Sequence, residues 1–266
     1  MPEHDVMMEK RKQQERDFHN QRETDRITNP EHHDAYYTNR RFYSIAGVSR
    51  DYVEELLSTR CPGATALDFC CGTGGMSLRM AAKGAQVTGV DISDVSIATA
   101  AKNAADAGLS DRARFQVGDA ENLQFAPDTF DLAVCSGVLH HVDLDAAYRE
   151  LSRVVKPTGS VIAIEALAHN PIITNYRRRT PHLRTPYEVD HILRVQDIRK
   201  AEKFFRKVEI RFFHLASIAA IPFLGTPLFK PLLGVLNAVD SVLLRVPYVQ
   251  RNAWQAVFVL SEPRKA

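Results

Sequence analysis

The chain has 266 residues, of which 45% are hydrophobic and 25% charged, and these proportions are typical of a soluble globular protein. They exclude a disordered chain, a collagen-like repeat and a disulfide scaffold. The 34 basic and 32 acidic residues leave a net charge of +2, without the basic excess of a dedicated nucleic-acid binder. At about 150 residues per domain, the length favours one large domain with additions or two small domains.

The cysteine pattern and the N-terminal residues both point to a cytoplasmic protein. The chain has four cysteines, namely Cys61, Cys70, Cys71 and Cys135. None shows a C-x-x-C spacing, so neither a disulfide framework nor a metal site is expected. The N-terminal stretch lacks the apolar core of a secretory signal. Residues 212–229 carry no formal charge, but Pro222 and Pro227 interrupt them, so no transmembrane segment is expected.

The first 60 residues predict helices around an aromatic, basic loop. Residues 3–26 are densely charged with both signs and lack Pro and Gly, which indicates an exposed helix that ends before Asn29-Pro30. A loop with tyrosines and arginines follows at 36–43. Residues 49–59 combine a Ser49 cap with leucines at helical spacing, which predicts a second helix.

From residue 64 onward, apolar runs alternate with helical patterns. The predicted strands are 64–69, 86–91, 113–119, 130–136 and 160–167. The predicted helices between them are 75–83, 93–107 and 145–155. Alternation of this kind indicates βαβ units and a parallel sheet that is buried on both faces.

The C-terminal part of the chain is less regular. Residues 167–195 are rich in Pro, Arg and His, which predicts an irregular insertion, and residues 196–205 follow as a helix. Strands are expected at 205–215 and 253–260, on either side of an apolar segment at 216–250. In that segment one helical face carries only apolar residues, namely Leu232, Val235, Leu236, Val239, Val242 and Leu243. An apolar stripe of this kind is most often part of the core.

The turn after the first predicted strand reads Asp68-Phe-Cys-Cys-Gly-Thr-Gly-Gly75. Its glycines permit a tight turn and a close approach to a ligand, and the next helix offers free N–H groups to an anion. Asp91 ends the second strand, where its carboxylate can accept both hydroxyls of a ribose. Asp119 follows the third strand, where it can accept from an adenine amino group.

Five segments together resemble the class I S-adenosylmethionine-dependent methyltransferases. They are LDFCCGTGG, VTGVDIS, FQVGDAENLQF, FDLAVCSGVLHHV and ELSRVVKPTGS, spread in family order over residues 61–166. The resemblance implies a Rossmann-like, doubly wound α/β fold with seven strands and a reversed last strand. Cys70 departs from the family pattern, which has glycine there. A dinucleotide cofactor is disfavoured because Ser77 occupies the third glycine position of its fingerprint.

The resemblance also implies S-adenosylmethionine as the cofactor and assigns residues to it. Those residues are Asp68, Gly72, Thr73, Gly74, Asp91, Ile92, Asp119, Ala120 and Ser136. The carboxylates would bind the ribose and the adenine, and Ser136 would approach the methionine amino group.

Methyl transfer from a sulfonium is an in-line displacement, in which the protein mainly orients and desolvates the reactants. An oxygen or nitrogen nucleophile also benefits from a base, expected at the carboxyl ends of the strands. His169 and His141 rank first as that base and His140 next, while Glu165 is either an orienting carboxylate or a base. Each histidine could instead serve packing alone.

The sequence favours methyl transfer to an oxygen or nitrogen of a small biosynthetic or natural-product acceptor. The alternative is a carbon methyltransferase that acts on a quinone, isoprenoid or lipid-like acceptor, and a non-catalytic binding protein is a third reading. The residues expected to bind the acceptor are Tyr37, Tyr43, Tyr176, Arg177 and Arg184. The arginines suit a carboxylate or phosphate, although a solvated face paired with Glu188 and Asp190 is an open alternative.

The expected organisation is a helical cap over residues 1–47 and a methyltransferase domain over 48–266. Insertions at 167–195 and 216–250 would form a substrate lid. The apolar stripe within 216–250 could also serve a homodimer, or a weak membrane-surface contact that its few basic residues disfavour.

Overall fold

The computed structural model describes residues 3–32 and 40–265. Its seven strands are β1 (Thr65–Phe69), β2 (Gln86–Asp91), β3 (Ala113–Val117), β4 (Phe130–Ser136), β5 (Val155–Ala166), β6 (Phe205–Phe213) and β7 (Gln255–Pro263). They form one sheet in the order β3-β2-β1-β4-β5-β7-β6. The first five strands pair in parallel, and β7 runs antiparallel to both β5 and β6. The predicted Rossmann-like sheet with a reversed last strand is therefore confirmed.

The helices lie between and around the strands. They are α1 (Glu3–Thr28), α2 (Arg40–Tyr43), α3 (Gly47–Arg60), α4 (Gly75–Ala82), α5 (Asp94–Asp106), α6 (Leu144–Val154), α7 (Pro171–Arg179), α8 (Pro186–Asp190), α9 (Val195–Arg199), α10 (Phe229–Leu243) and α11 (Pro247–Gln250). The predicted Ser49 cap is wrong, because α3 begins two residues earlier. Ser49 lies inside that helix, where its hydroxyl bonds the Ala46 carbonyl and His214.

Hydrophobic side chains cover both faces of the sheet. Neighbouring residues of a strand point to opposite faces, and on β4 Val134 packs in one cluster and Cys135 in the other. Leu57 of α3 joins the first cluster, and Leu151 of α6 joins the second. Helices therefore flank the sheet on both sides, as a doubly wound sheet requires.

The segment 167–195 is more regular than its sequence predicted. It contains α7, a short 3₁₀ turn and α8. Asn170 caps α7 by accepting from the Ile172 and Ile173 amides, and Thr185 caps α8. Each cap is followed by a proline at the first helical position, which is a favoured way to start a helix. Pro171 and Pro186, which predict a loop when the sequence is considered alone, therefore start helices instead.

The expected apolar stripe on α10 divides between two faces. Leu232 and Leu236 pack on a buried cluster that includes Ile173 and Trp254, whereas Val235 and Val242 are 62% and 63% exposed. Only part of the stripe therefore belongs to the core. Among the described helices, none combines the length and the apolar content that a bilayer crossing needs.

Gly89 on β2 packs closely against the side chains of Phe115 and Cys71. An added Cβ there would come within 2.6 Å of Phe115 Cδ1 and 2.9 Å of Cys71 Sγ. We expect Gly89→Ala to lower the free energy of unfolding by about 1–3 kcal/mol, because the ring and the thiol must move.

Gly234→Ala is the matched control. Gly234 lies within α10, and an added Cβ meets no atom within 4 Å. This substitution should raise the free energy of unfolding by about 0.5–1 kcal/mol, because alanine loses less backbone entropy in a helix. Urea unfolding of both variants tests the contact, and equal stabilities would contradict it.

Candidate active site

The turn after β1 takes the backbone conformation of a glycine-rich loop even where glycine is missing. Gly72 and Gly74 have φ values of 50° and 81°, and Cys70 has a φ of 55°. A left-handed conformation at a residue with a Cβ costs about 1–3 kcal/mol and is tolerated where the surroundings enforce it. The Gly72 amide donates to Asp91 Oδ2 at 2.8 Å. Cys70, which stands where the family pattern has glycine, thus adopts the backbone conformation that the turn requires.

A cavity of about 250 Å³ opens at the carboxyl ends of β1, β2 and β4; we call it the first cavity. Six residues predicted to bind the cofactor line it, namely Gly72, Asp91, Ile92, Asp119, Ala120 and Ser136. An added Cβ at Gly72 would meet no atom within 4 Å, so the cavity is open at this glycine. A buried carboxylate at the end of β2 beside an open glycine turn suits the ribose of a nucleoside cofactor.

The other three predicted cofactor residues do not line the first cavity. Asp68 is buried and accepts a hydrogen bond from Ser77 Oγ at 2.6 Å, and burial raises the pKa of Asp68 to about 6. The Thr73 carbonyl accepts from the Asn103 amide at 3.0 Å. Gly74 caps α4 with its left-handed backbone. Their positions give them a role in the shape of the turn.

Helix α1, which the sequence predicts as an exposed helix, lies across the first cavity. Arg11, Lys12, Glu15 and His19 line it, and none of them was predicted as a site residue. Lys12 Nζ lies 2.7 Å from Asp119 Oδ2, at the carboxylate that the family resemblance assigns to adenine. The i,i+4 spacing of residues 11, 15 and 19 was the available signal, because it puts three polar side chains on one helix face.

Glu165 of β5 fixes the loop that follows β4. Its side chain is fully buried, and Oε1 accepts the amides of Val138 and Leu139, each at 2.8 Å. Oε2 lies 2.8 Å from His140 Nδ1. Burial opposes a charge on His140, but Glu165 and then Glu188 outweigh it and raise the pKa of His140 to about 9. His140 is therefore positively charged at neutral pH.

His141 has the opposite tendency. Its Nδ1 lies 3.0 Å from Glu15 Oε2. Burial would raise the pKa of Glu15, but hydrogen bonds from His141 and His19 hold it well below the usual value. Because an ionised carboxylate only accepts, His141 Nδ1–H is the donor and Nε2 keeps its lone pair. Burial, followed by the charge on His140, lowers the pKa of His141. His141 is neutral where His140 is charged.

A second cavity of about 410 Å³ lies on the other side of the loop after β4. Ser136, Gly137 and His141 line both cavities, so the two spaces meet at His141. The second cavity is also lined by four residues predicted to bind the acceptor, namely Tyr43, Tyr176, Arg177 and Arg184. The fifth, Tyr37, lies outside the described residues.

The structure does not bring His169 to the boundary between the two cavities. Its side chain is exposed, and it is not among the described residues that line the two cavities. After β5, the Leu167 amide donates to the Trp254 carbonyl and the Ala168 amide donates to the Leu193 carbonyl. The two neighbouring histidines that do line the cavities follow β4.

Two sets of side chains could also offer ligands to a metal ion. They are Glu15, His19 and His141, and His140, His141 and Glu188, with ligand atoms within 4.8 Å of one another in each set. Arg177 Nη2 lies 2.6 Å from Glu188 Oε1, and its positive charge opposes a cation in the second set. The expectation that the chain needs no metal stays a prediction.

The comparisons with known proteins agree with this geometry. Residues 66–159 match the family model described as "Methyltransferase domain". The demethylmenaquinone methyltransferase of Desulfitobacterium hafniense is 37% identical over 108 residues, which cover 39% of this chain and 43% of that protein. The mitochondrial ubiquinone biosynthesis O-methyltransferase of Schizosaccharomyces pombe is 34% identical over 169 residues, covering 61% of this chain and 58% of that protein. The chain thus spans about half the length of these relatives.

A solved structure shows the same fold over a longer stretch. The YcgJ protein of Bacillus subtilis superposes with a TM-score of 0.56 and 20% identity, covering 82% of this chain and all of that one. The superposition thus covers a larger share of the chain than residues 66–159.

The different charge states of His140 and His141 predict two separate titrations. By NMR, His140 should titrate near pH 9 and His141 below the ordinary value of 6.5. Because the pKa of His140 is raised on folding, its contribution to stability is complete below about pH 6.5. It is lost as the pH rises through about 9.

Relative to His140→Gln, the native chain should therefore lose on the order of 3 kcal/mol of unfolding free energy over that window. The control is the exposed His169→Gln: burial and nearby arginines lower the pKa of His169, so its difference from the native chain should not change over that window. A constant difference for His140→Gln would contradict the charged pair with Glu165.

Proposed function

We propose, from the match of residues 66–159 to a methyltransferase family model, that this chain is a class I S-adenosylmethionine-dependent methyltransferase that methylates a small molecule bound in the second cavity. The observation that carries the proposal is the shared wall of the two cavities at Ser136, Gly137 and His141. A cofactor in the first cavity and an acceptor in the second would meet there, beside a neutral imidazole.

S-Adenosylmethionine supplies an electrophilic methyl group when bound. In the first cavity, Asp91 would hold the ribose hydroxyls while its oxygens keep the Gly72 and Ser93 amides in place. Ile92 and Ala120 would cover the adenine. Asp119 would accept from the adenine edge with the oxygen lone pairs that Lys12 and the Glu121 amide leave available.

His141 is the base in this proposal. Its Nε2 keeps a lone pair because Nδ1 donates to Glu15, and a lowered pKa leaves it unprotonated at neutral pH. Glu15 orients the ring, and His140 with Glu165 positions the loop that carries it. Pairs of titratable groups whose pKa values are pushed apart are typical of acid–base sites.

This arrangement favours an oxygen or nitrogen nucleophile, from which a base removes a proton. A carbon acceptor of the quinone, isoprenoid or lipid type is the second candidate. It is favoured by the relative whose name is demethylmenaquinone methyltransferase and by the aromatic wall of the second cavity. A strong dependence on His141 distinguishes the first candidate from the second.

The cap and lid functions belong to the same proposal. Residues 1–47 would close the first cavity through α1, and the insertion at 167–195 would form the lid of the second through Tyr176 and Arg177. Within the described part of the chain, the insertion at 216–250 lines neither of these cavities. It would therefore support the lid from outside the cavities. Its Ile218 and Leu232 pack against the cluster that includes Trp254.

Asp91 provides the test of the cofactor assignment. We expect Asp91→Asn to weaken binding of S-adenosylmethionine by about 10- to 100-fold, since a hydrogen bond to a charged group is worth about 1.5–3 kcal/mol. Asp94→Asn is the matched control, because Asp94 is exposed and bonds Asn20. Calorimetric titration of the native chain and both variants measures the effect. Equal affinities of the native chain and both variants would mean that the cofactor does not bind in the first cavity.

His141 provides the test of the base. S-Adenosylhomocysteine formation with a panel of phenols, catechols and amines first identifies an acceptor. With that acceptor, His141→Asn should lower kcat by about 10²–10⁴-fold, the usual loss for a missing general base. His169→Asn should leave kcat unchanged, because that side chain is exposed away from both cavities. Full activity of His141→Asn would favour the carbon acceptor, and no turnover with any compound would favour a binding protein.

A further inference from the structure

The wall of the second cavity is chemically divided. One part is apolar and mostly aromatic, formed by Phe18, Phe42, Tyr43, Tyr176 and Trp254. The other part carries three arginines, Arg22, Arg177 and Arg184, and a single carboxylate, Glu188. Among the described residues that line the cavity, guanidinium groups thus outnumber carboxylates.

Two of these arginines share one carboxylate. Glu188 Oε1 lies 2.6 Å from Arg177 Nη2 and 3.4 Å from Arg184 Nε, and also 3.6 Å from His140 Nε2. The other carboxylates of the site are already engaged, Glu165 by His140 and Glu15 by His141 and Thr185. Among the described residues, one carboxylate therefore balances the two guanidinium groups of Arg177 and Arg184.

Unused hydrogen-bond donors lie at the same place. The Nε–H groups of Arg177 and Arg184 are buried and make no hydrogen bond to the described residues; Arg184 Nε is within ion-pair distance of Glu188 but lacks hydrogen-bond geometry. A buried donor without a partner is costly, and most such groups in proteins are paired. Burial and then the charge of Arg177 lower the pKa of Arg184, so Glu188 does not fully compensate the two guanidinium charges.

From these contacts we propose that the second cavity binds an acceptor that combines an aromatic body with a carboxylate or phosphate group, which Arg177 and Arg184 hold. Guanidinium groups match both anions with paired N–H donors. The inference rests on the proposed function, because it names the class of molecule that this enzyme would methylate. Tyr176 and Trp254 would contact the aromatic body.

The same contacts limit the size of the acceptor. Arg177 and His140 contact the same oxygen of Glu188, so one carboxylate oxygen separates the guanidinium from the imidazole. His141 Nε2 lies 4.0 Å from the other oxygen of Glu188. An acceptor held by the arginines would therefore extend past the Glu188 carboxylate to bring its nucleophile to His141.

The test compares two anionic probes with a neutral one, so it does not depend on turnover. Benzoate, phenyl phosphate and benzamide share a phenyl ring. Their dissociation constants are measured by calorimetry, and the emission of Trp254, the single tryptophan of the chain, reports whether they enter this cavity. We expect at least one of the two anions to bind at least tenfold more tightly than benzamide and to change the emission. The better anion identifies carboxylate or phosphate as the natural group.

Variants of the arginines complete the test. Arg177→Gln and Arg184→Gln should each abolish the preference for the anions, whereas the exposed Arg178→Gln on the same helix should keep it. Arg177→Lys should keep part of the preference if Arg184→Gln fails to fold. Equal affinity for the three probes in the native chain would overturn the inference, as would an undiminished preference in folded Arg177→Gln.

S-Adenosylhomocysteine binding is measured in parallel on every variant. If it binds and the anions show no preference, the acceptor class is wrong while the proposed function stands. If S-adenosylhomocysteine does not bind the native chain, the proposed function itself fails, whatever the probes do.

Discussion

The buried carboxylate of Glu165 is the contact on which the site depends. It accepts two backbone amides from the loop after β4 and pairs with His140. A fully buried carboxylate is stable only when its oxygens are satisfied in this way. Because Gly137 and His141 of that loop form the common wall of both cavities, a single buried group on β5 fixes the boundary between them.

The charges around this loop form a network that determines which histidine is protonated. Glu165 and Glu188 favour the charged form of His140, and that charge in turn disfavours a charge on its neighbour. Glu15 then orients His141 from α1. The two adjacent residues have the same side chain; carboxylates on other elements raise the pKa of His140, whereas burial and the charge of His140 lower that of His141.

Helix α1 shows why composition was an incomplete guide. Its mixed charges predict a solvated helix, and the helix is present as expected. Arg11, Glu15 and Glu23 are nevertheless buried. Arg11 pairs with Glu121 and Glu15 accepts from His141, partners that lie outside the helix, whereas Glu23 pairs with Arg26 of the same helix. The sequence of this helix predicts a solvent-exposed segment because the partners of Arg11 and Glu15 are more than 100 residues away.

The sequence by itself determined the sheet, the glycine turn and the carboxylates that end β2 and follow β3. Each of these depends on local rules: apolar runs for buried strands, glycine for left-handed turns, and strand ends for ligand positions. The helices of 167–195 were missed although their caps, Asn170-Pro171 and Thr185-Pro186, are also local. Only the tertiary structure decided the surroundings of the two histidines after β4. His141 and Glu15 are 126 residues apart, and their contact depends on how α1 packs against the sheet, which no local periodicity records.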